Sequence, residues 1–351
     1  MRTYFFLIIV SLSFQCCYKG QKKGPESSLY LRLQQESERR LFPFPTGQSG
    51  FLQKNTDHNF LQIPKAQEVS DTDLSWTFQG PIGISGRMLC LAINPQDTQE
   101  IWAGSASGGL WKSQTGGIGP EAWKPVRTGY AVSSFSALAV NPDSVHIILA
   151  GTGEIYNSNN SSQGRFYRTL RGFSGIGILK SRDRGKTWQL SLDWSEYEDR
   201  GINRIAFDPS DTRIVYAATT HGLYQSQNGG DDWQLILDKS MVADILIHSY
   251  NGSLLTASVG GIGATDYGIF TSNDRGLSWT KIPYQNGSIR QGKIMIAQQN
   301  SNPDRIYAIF SDQFKTIGFM RTPDRFRTIF QHNIPDISSY QGWYARGMAI
   351  H

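Results

Sequence analysis

The sequence predicts an all-β fold, a β-propeller of four-stranded antiparallel blades, and three of its features carry that prediction. The first is a repeated octad. Residues 181–188 (SRDRGKTW), 226–233 (SQNGGDDW) and 272–279 (SNDRGLSW) all read Ser-x-Asp/Asn-x-Gly-x-x-Trp, with first serines 45 and 46 residues apart. A period of about 40 to 50 residues is that of one blade. The second is a strand-ending turn at Asn94-Pro95, Asn141-Pro142, Asp208-Pro209 and Asn302-Pro303. The third is the β-rich run after each turn: residues 101–104 (IWAG), 148–151 (ILAG), 215–218 (VYAA) and 306–309 (IYAI). Short apolar, β-branched runs bounded by Gly, Asn, Asp and Pro read as antiparallel strands. Each unit therefore runs strand, turn, strand, loop, strand, octad, strand.

The octad has chemistry suited to closing a hairpin. Gly185, Gly230 and Gly276 permit backbone angles that a side chain resists. Asp183, Asn228 and Asp274 can accept hydrogen bonds from loop amides, as can the hydroxyls of Ser181, Ser226 and Ser272. Trp188, Trp233 and Trp279 open the next strand and are expected to bury their rings between blades. This is a structural role; packing accounts for every residue type in the octad without calcium or catalysis. Looser copies extend the array to Ser113, with Trp123 after a longer spacing, and to Thr322-Pro323-Asp324-Arg325-Phe326, where the glycine and tryptophan are replaced. Five complete units fit between about residue 85 and residue 335.

Residues 74–78 (LSWTF) look like the strand that follows an octad, yet no octad precedes them. Propellers close by lending one terminal strand to the last blade, which removes exposed edges, so Trp76 is assigned to a final blade. Residues 344–351 read as the first strand of a sixth unit. The expectation is five complete blades and the start of a sixth in a propeller truncated at its C-terminus; a five-bladed ring with a frayed last strand is the alternative.

The octad resembles the Asp-box, or BNR repeat. With residues 76–81 (WTFQGP), Ser85-Gly86-Arg87, residues 104–113 (GSASGGLWKS) and Gly151-Thr152-Gly153-Glu154, the chain from 74 to 351 resembles the secreted bacterial BNR propellers. These are similar to the sortilin (VPS10) ectodomain, to xyloglucanase-type glycoside hydrolases and to sialidases. The resemblance implies the architecture and leaves activity open, because one fold hosts enzymes and binding proteins alike.

The first 73 residues differ in character. Met1-Arg2 and the apolar run from Tyr4 to Phe14 have the pattern of a secretory signal, too short for a membrane span of about 20 residues. Cys16 and Cys17 fall where cleavage is expected and Lys19, Lys22 and Lys23 follow, which resembles a lipoprotein leader over residues 1–17 with lipid on one of the two cysteines. Phe14 and Gln15 stand where smaller residues are usual. The expected location is the outer membrane or cell surface, held only by a lipid anchor, with plain secretion as the alternative. Residues 18–73 read as a spacer: an amphipathic helix over about 25–42, then a linker. Cys90, in an apolar run, reads as a core thiol.

Composition fits this class. Glycine numbers 36, aromatics make up 12% and charged residues 18%, the last below the usual quarter. A net charge of +5 without a basic stripe argues against nucleic acid. The sequence contains no phosphate loop, HExxH zinc pattern or dinucleotide fingerprint, so no metal or cofactor is assigned. Paired-carboxylate hydrolysis would need acids outside the octads: Glu154, Asp193, Glu196, Asp199, Asp244 and Asp266. None matches a xyloglucanase catalytic segment. Arg87, Arg204 and Arg346 lie near inner-strand starts, but strand alternation puts Arg204 on the face opposite the other two, against a sialidase-like triad.

Residues 154–174 form a long insertion, whose Tyr156, Arg165, Tyr167 and Arg168 suit contacts with a sugar or peptide. The primary expectation is an exported, non-enzymatic propeller binding a glycan, peptide or surface protein at one mouth through Arg87, Arg346, Glu154, Tyr156 and Arg165. The alternative is a fragment of a glycan-active hydrolase, xyloglucanase- or sialidase-like, whose remaining propeller segment lies beyond residue 351.

Overall fold

The structure, a computed structural model, describes residues 87–338 except 120, 157–172, 198, 285–291 and 313, together with Gly342 and Met348. Five sheets of four antiparallel strands follow one another along the chain. The first holds β1 (Met88–Asn94), β2 (Asp97–Ser105), β3 (Leu110–Ser113) and β4 (Trp123–Val126). The second holds β5 (Phe135–Val140), β6 (Ile148–Thr152), β7 (Gly177–Ser181) and β8 (Gln189–Asp193). The third holds β9 (Ile202–Asp208), β10 (Asp211–Thr219), β11 (Gly222–Ser226) and β12 (Gln234–Leu237). The fourth holds β13 (Val242–Ile247), β14 (Leu255–Val259), β15 (Gly268–Ser272) and β16 (Thr280–Lys281). The fifth holds β17 (Met295–Gln299), β18 (Asn302–Ser311), β19 (Thr316–Thr322) and β20 (Phe330–His332). The strands β1, β5, β9, β13 and β17 pack on one another in succession and so are the inner strands. This is a β-propeller array. Residues 1–86, with the leader, the helix and Trp76, lie outside the described residues. Among the described residues no helix is long and apolar enough to cross a membrane.

Each junction between sheets has its own apolar core. Trp102 and Leu110 of the first sheet meet Phe135, Ile148 and Trp188 of the second. Leu149 and Ile178 meet Ile202 and Val215; Tyr216 and Leu223 meet Ile245 and Leu255; Ile269 meets Ile296 and Phe310. The turns between first and second strands are closed by their Asx side chains: Asn94 Oδ1 accepts from Gln96 N, Asn141 Oδ1 from Asp143 N and Asp208 Oδ1 from Ser210 N.

The octads form equivalent loops between third and fourth strands. Ser181 Oγ accepts from Asp183 N at 3.3 Å and Gly185 N at 2.8 Å, and the same pair of distances recurs at Ser226 and Ser272. Ser113 and Thr322 repeat the arrangement in the first and fifth sheets. The loop needs two successive left-handed residues, such as Arg184 at φ 60° and Gly185 at φ 80°. Glycine has a second role here. A Cβ on Gly185 would lie 2.4 Å from the Trp102 ring, and one on Gly276 would lie 2.6 Å from Ile236 Cδ1, both in the preceding sheet.

The tryptophans are not alike. Trp188 is 6% exposed and meets Trp102 edge-on at 6.3 Å. Trp233 and Trp279 are only half-buried at the next two junctions, short of the burial expected of all three. Their indole N–H groups reach back across the junction, Trp233 to Ser191 Oγ at 2.8 Å and Trp279 to the Ile236 carbonyl at 3.0 Å. Trp188→Ala should therefore cost about 3 to 5 kcal/mol, and Trp233→Ala and Trp279→Ala about half as much. Urea unfolding midpoints would check this; equal losses at all three sites would contradict it.

Candidate functional site

Antiparallel order puts the octads at one end of the array. The inner-strand starts and the loops between second and third strands lie at the other. The octad acids are committed to their own loops. Side-chain and backbone hydrogen bonds from Thr187 hold the Asp183 carboxyl at about 2, and those from Ser278 do the same for Asp274. Among the described residues no group of three or more His, Cys, Asp or Glu side chains could hold a metal ion.

At the opposite mouth the loop between β6 and β7 rises from a narrow stem. Gly153, at φ 87°, and Gly175 are pressed together; a Cβ on Gly153 would lie 2.3 Å from Gly175 N and 2.9 Å from the Arg200 carbonyl. Thr152 Oγ1 accepts from Ile176 N at 2.8 Å and donates to the Gly177 carbonyl at 2.7 Å. Glu154 N donates to the Phe173 carbonyl at 2.8 Å. This stem fixes Glu154, whose side chain is 5% exposed.

Glu154 Oε2 accepts from Arg87 Nη2 at 2.5 Å, and Arg87 Nη1 donates to the Tyr156 hydroxyl at 3.4 Å. Glu154 Oε1 is buried with no hydrogen-bond partner among the described residues. Burial pushes the carboxyl up to about 7; Arg87 and, more weakly, Lys293 pull against it. Burial likewise pushes the Asp244 carboxyl up, opposed by Arg204, whose Nε lies 3.7 Å away, and by Lys293. Lys293 is itself pushed down by burial, against the pull of Asp244 and Glu154. One charged side chain from each sheet thus converges on the mouth: Arg87, Glu154, Arg204, Asp244 and Lys293.

Of the sequence-predicted ligand residues, the structure brings Arg87, Glu154 and Tyr156 together. Arg165 and Arg346 lie outside the described residues. Alternation counted from strand ends does not carry across the inner strands, because register shifts interrupt β1 between Met88 and Cys90 and β9 between Ile202 and Arg204. The Arg87 carbonyl accepts from Ala106 N as the Gly201 carbonyl accepts from Thr220 N, so the ladder counterpart of Arg87 is Gly201, and Arg204 sits deeper. Asp193 is used locally, accepting from Ser195 N. Asp266 is held between Lys239 and Lys281. Burial raises its carboxyl, and the two lysine hydrogen bonds outweigh that and hold it low. Cys90 is half-buried, its thiol pushed up to about 12 by burial. Lys293 was not among the sequence candidates; its place just ahead of an inner strand, like that of Arg87, is the signal that marks it.

No family model matches the chain. In sequence it is 23% identical over 258 residues to the xyloglucanase Xgh74A of Acetivibrio thermocellus, covering 63% of this chain and 28% of that protein. It is also 23% identical over 231 residues to a Paenibacillus sp xyloglucanase, covering 56% and 21%. Among solved structures it resembles an ancestral GH74 enzyme, with a TM-score of 0.54, 19% identity and coverage of 71% of this chain and 33% of that one. The GH74 enzyme of Niastella koreensis gives 0.51 and 19%, covering 70% and 38%. The chain therefore spans well under half the length of these relatives. The structures support the propeller fold. The sequence relatives are xyloglucanases, one of the three groups the sequence resembles, and they favour the glycoside hydrolase-like reading over a non-enzymatic one.

The raised Glu154 carboxyl has a consequence for stability. A buried acid held at about 7 against an ordinary value of 4.5 binds its proton more tightly folded than unfolded. Its contribution is intact below about pH 4.5 and is lost as pH rises to about 7. Urea midpoints across this window should fall less steeply in Glu154→Gln than in the wild type; parallel profiles would contradict the assignment.

Proposed function

We propose that these five blades belong to a glycan-active, glycoside hydrolase-like propeller protein that takes a xyloglucan-type β-glucan at the mouth built by Arg87, Glu154 and Tyr156. The observation that carries this reading is a buried, protonatable carboxyl at the axial mouth of an array whose sequence relatives are xyloglucanases. A carboxyl near 7 donates a hydrogen bond or a proton at neutral pH. Hydrolysis by paired carboxyls needs a second, ionised one. Asp244 is held toward its neutral form by burial, so the reading assigns these blades glycan binding and a proton donor, with the ionised partner supplied from outside the described residues.

Xyloglucan embedded in a native gel should retard the purified chain. Arg87→Ala should weaken that retardation about tenfold, because it leaves a buried carboxyl without its partner. A folded chain that migrates unretarded would overturn the reading.

The location follows from the leader. We infer export, with lipid on Cys16 or Cys17, because a polysaccharide ligand lies outside the cell and residues 1–17 have the pattern of a lipoprotein signal. Labelled palmitate should enter the wild-type chain and not a Cys16→Ser/Cys17→Ser variant; label in both would refute the anchor.

A further inference from the structure

Beside the Glu154 stem, on the same end of the array, lies a polar and aromatic cluster that the mouth does not use. It is built on the connection from β8 to β9. Trp194 anchors this segment, 3% exposed, with its ring edge-on to Tyr224 at 5.7 Å and to His221 at 6.4 Å. Asp193 Oδ1 accepts from Ser195 N at 2.8 Å and Tyr197 N donates to the Trp194 carbonyl at 3.0 Å, so the turn is held from both sides. The Arg200 guanidinium lies 3.4 Å over the Tyr197 ring and 5.2 Å from that of Trp194. Tyr197 nevertheless stays 44% exposed. Trp194 does the packing here, and Tyr197 is a ring pinned by a cation and left at the surface.

Polar groups with both hydrogen-bonding roles belong to the same cluster. His221 Nε2 lies 3.5 Å from Asp199 Oδ2, with 27% and 39% of those side chains exposed. His221 Nδ1 is 2.8 Å from Thr220 Oγ1. Burial lowers the imidazole despite Asp199, which favours the neutral ring; Nδ1 is engaged by Thr220, and Nε2 is the nitrogen on the Asp199 side. The cluster is continuous with the mouth: the Arg200 carbonyl accepts from Gly175 N at 2.9 Å, and a Cβ on Gly201 would lie 3.3 Å from Ile155 Cγ1.

We propose that Tyr197, Asp199 and His221, with Arg200 behind the tyrosine ring, form a second saccharide subsite in which a neutral sugar ring of the same glycan stacks on Tyr197 and shares its hydroxyls with Asp199 and His221. This rests on the glycan-binding reading above. A pyranose presents an apolar C–H face and a rim of hydroxyls. An aromatic ring with a carboxylate two residues further along the same connection, and an imidazole paired to that carboxylate, complements both, as sites with an apolar surface and a few placed polar groups do. The cation–π contact fixes the ring before binding, so little conformational freedom is lost when the sugar arrives.

Calorimetric titration of the full chain with a xyloglucan oligosaccharide tests this. Tyr197→Ala should weaken binding about tenfold, Tyr197→Phe should bind within about twofold of wild type, and Asp199→Asn should weaken it several-fold, with thermal unfolding confirming that each variant folds. Wild-type binding with Tyr197→Ala and Asp199→Asn unchanged overturns the subsite and leaves the mouth standing. Equal losses in Tyr197→Ala and Tyr197→Phe overturn stacking, since the ring remains in the second. If Tyr197→Ala fails to fold, Asp199→Asn and Tyr197→Phe decide alone. No binding by the wild type overturns the glycan reading itself, and the subsite with it.

Discussion

A single hydroxyl in each blade sets the conditions for the rest of the molecule. The octad Ser or Thr accepts two amides from a loop that turns through two left-handed residues. That turn presses its second left-handed residue against the sheet before it. At Gly185 and Gly276 the approach leaves no room for a Cβ, so the residue that satisfies the turn also sets the spacing between blades. The tryptophan closing the octad completes the junction where its N–H reaches the preceding sheet, as at Trp233 and Trp279. The fifth sheet shows what the constraint costs. Phe326 occupies the glycine position at φ 68°, a conformation that disfavours a side chain by about 1 kcal/mol. Its ring packs against the core of the fourth and fifth sheets, which offsets that cost.

Because the octads consume their acids in closing loops, they also decide where chemistry can occur. Asp183 and Asp274 are held as carboxylates by their own hairpins and are poor candidates for proton transfer. At the opposite end local amides reach some acids, as Ile245 N reaches Asp244 Oδ1 at 2.8 Å, but at Glu154 and Asp244 burial outweighs every such contact. Charged side chains there meet across sheets, Arg87 with Glu154 and Arg204 with Asp244, and their protonation is governed by burial more than by loop amides. One end of the propeller is built for closure and the other for titration.

This division also explains what the sequence made legible. Octads, Asx turns and strand runs are local, so their spacing gave five four-stranded units with the correct strand order. The faces of the arginines were not legible, for a physical reason. Alternation assumes an uninterrupted ladder, and the register shifts near the starts of β1 and β9 break it. Lys293 and Asp244 could not be joined from sequence because they lie 49 positions apart, with the other three strands of the fourth sheet between them. Tyr197 and His221 belong to different connections, which are joined by the contacts of Trp194 and Asp199 with His221 and of Arg200 with Trp194 and Tyr197. Glu154 was legible as a free acid, but nothing local signals its burial, which follows from a stem closed by Gly153 and Gly175 against Arg200.

The state of Glu154 is therefore a property of the assembled array. Its partner Arg87 comes from the first sheet, its stem is clamped by a backbone carbonyl at the edge of the third, and the charge of Lys293 reaches it from the fifth. Changing the angle between any two blades changes how much water reaches the carboxyl and how closely the two cations approach it. Junction packing far from the mouth, at Trp102 and Trp188 or at Ile236 and Trp279, holds together the sheets whose side chains meet there. In this fold the octads close one end of the blades, while the mouth at the other draws on side chains from every one of them.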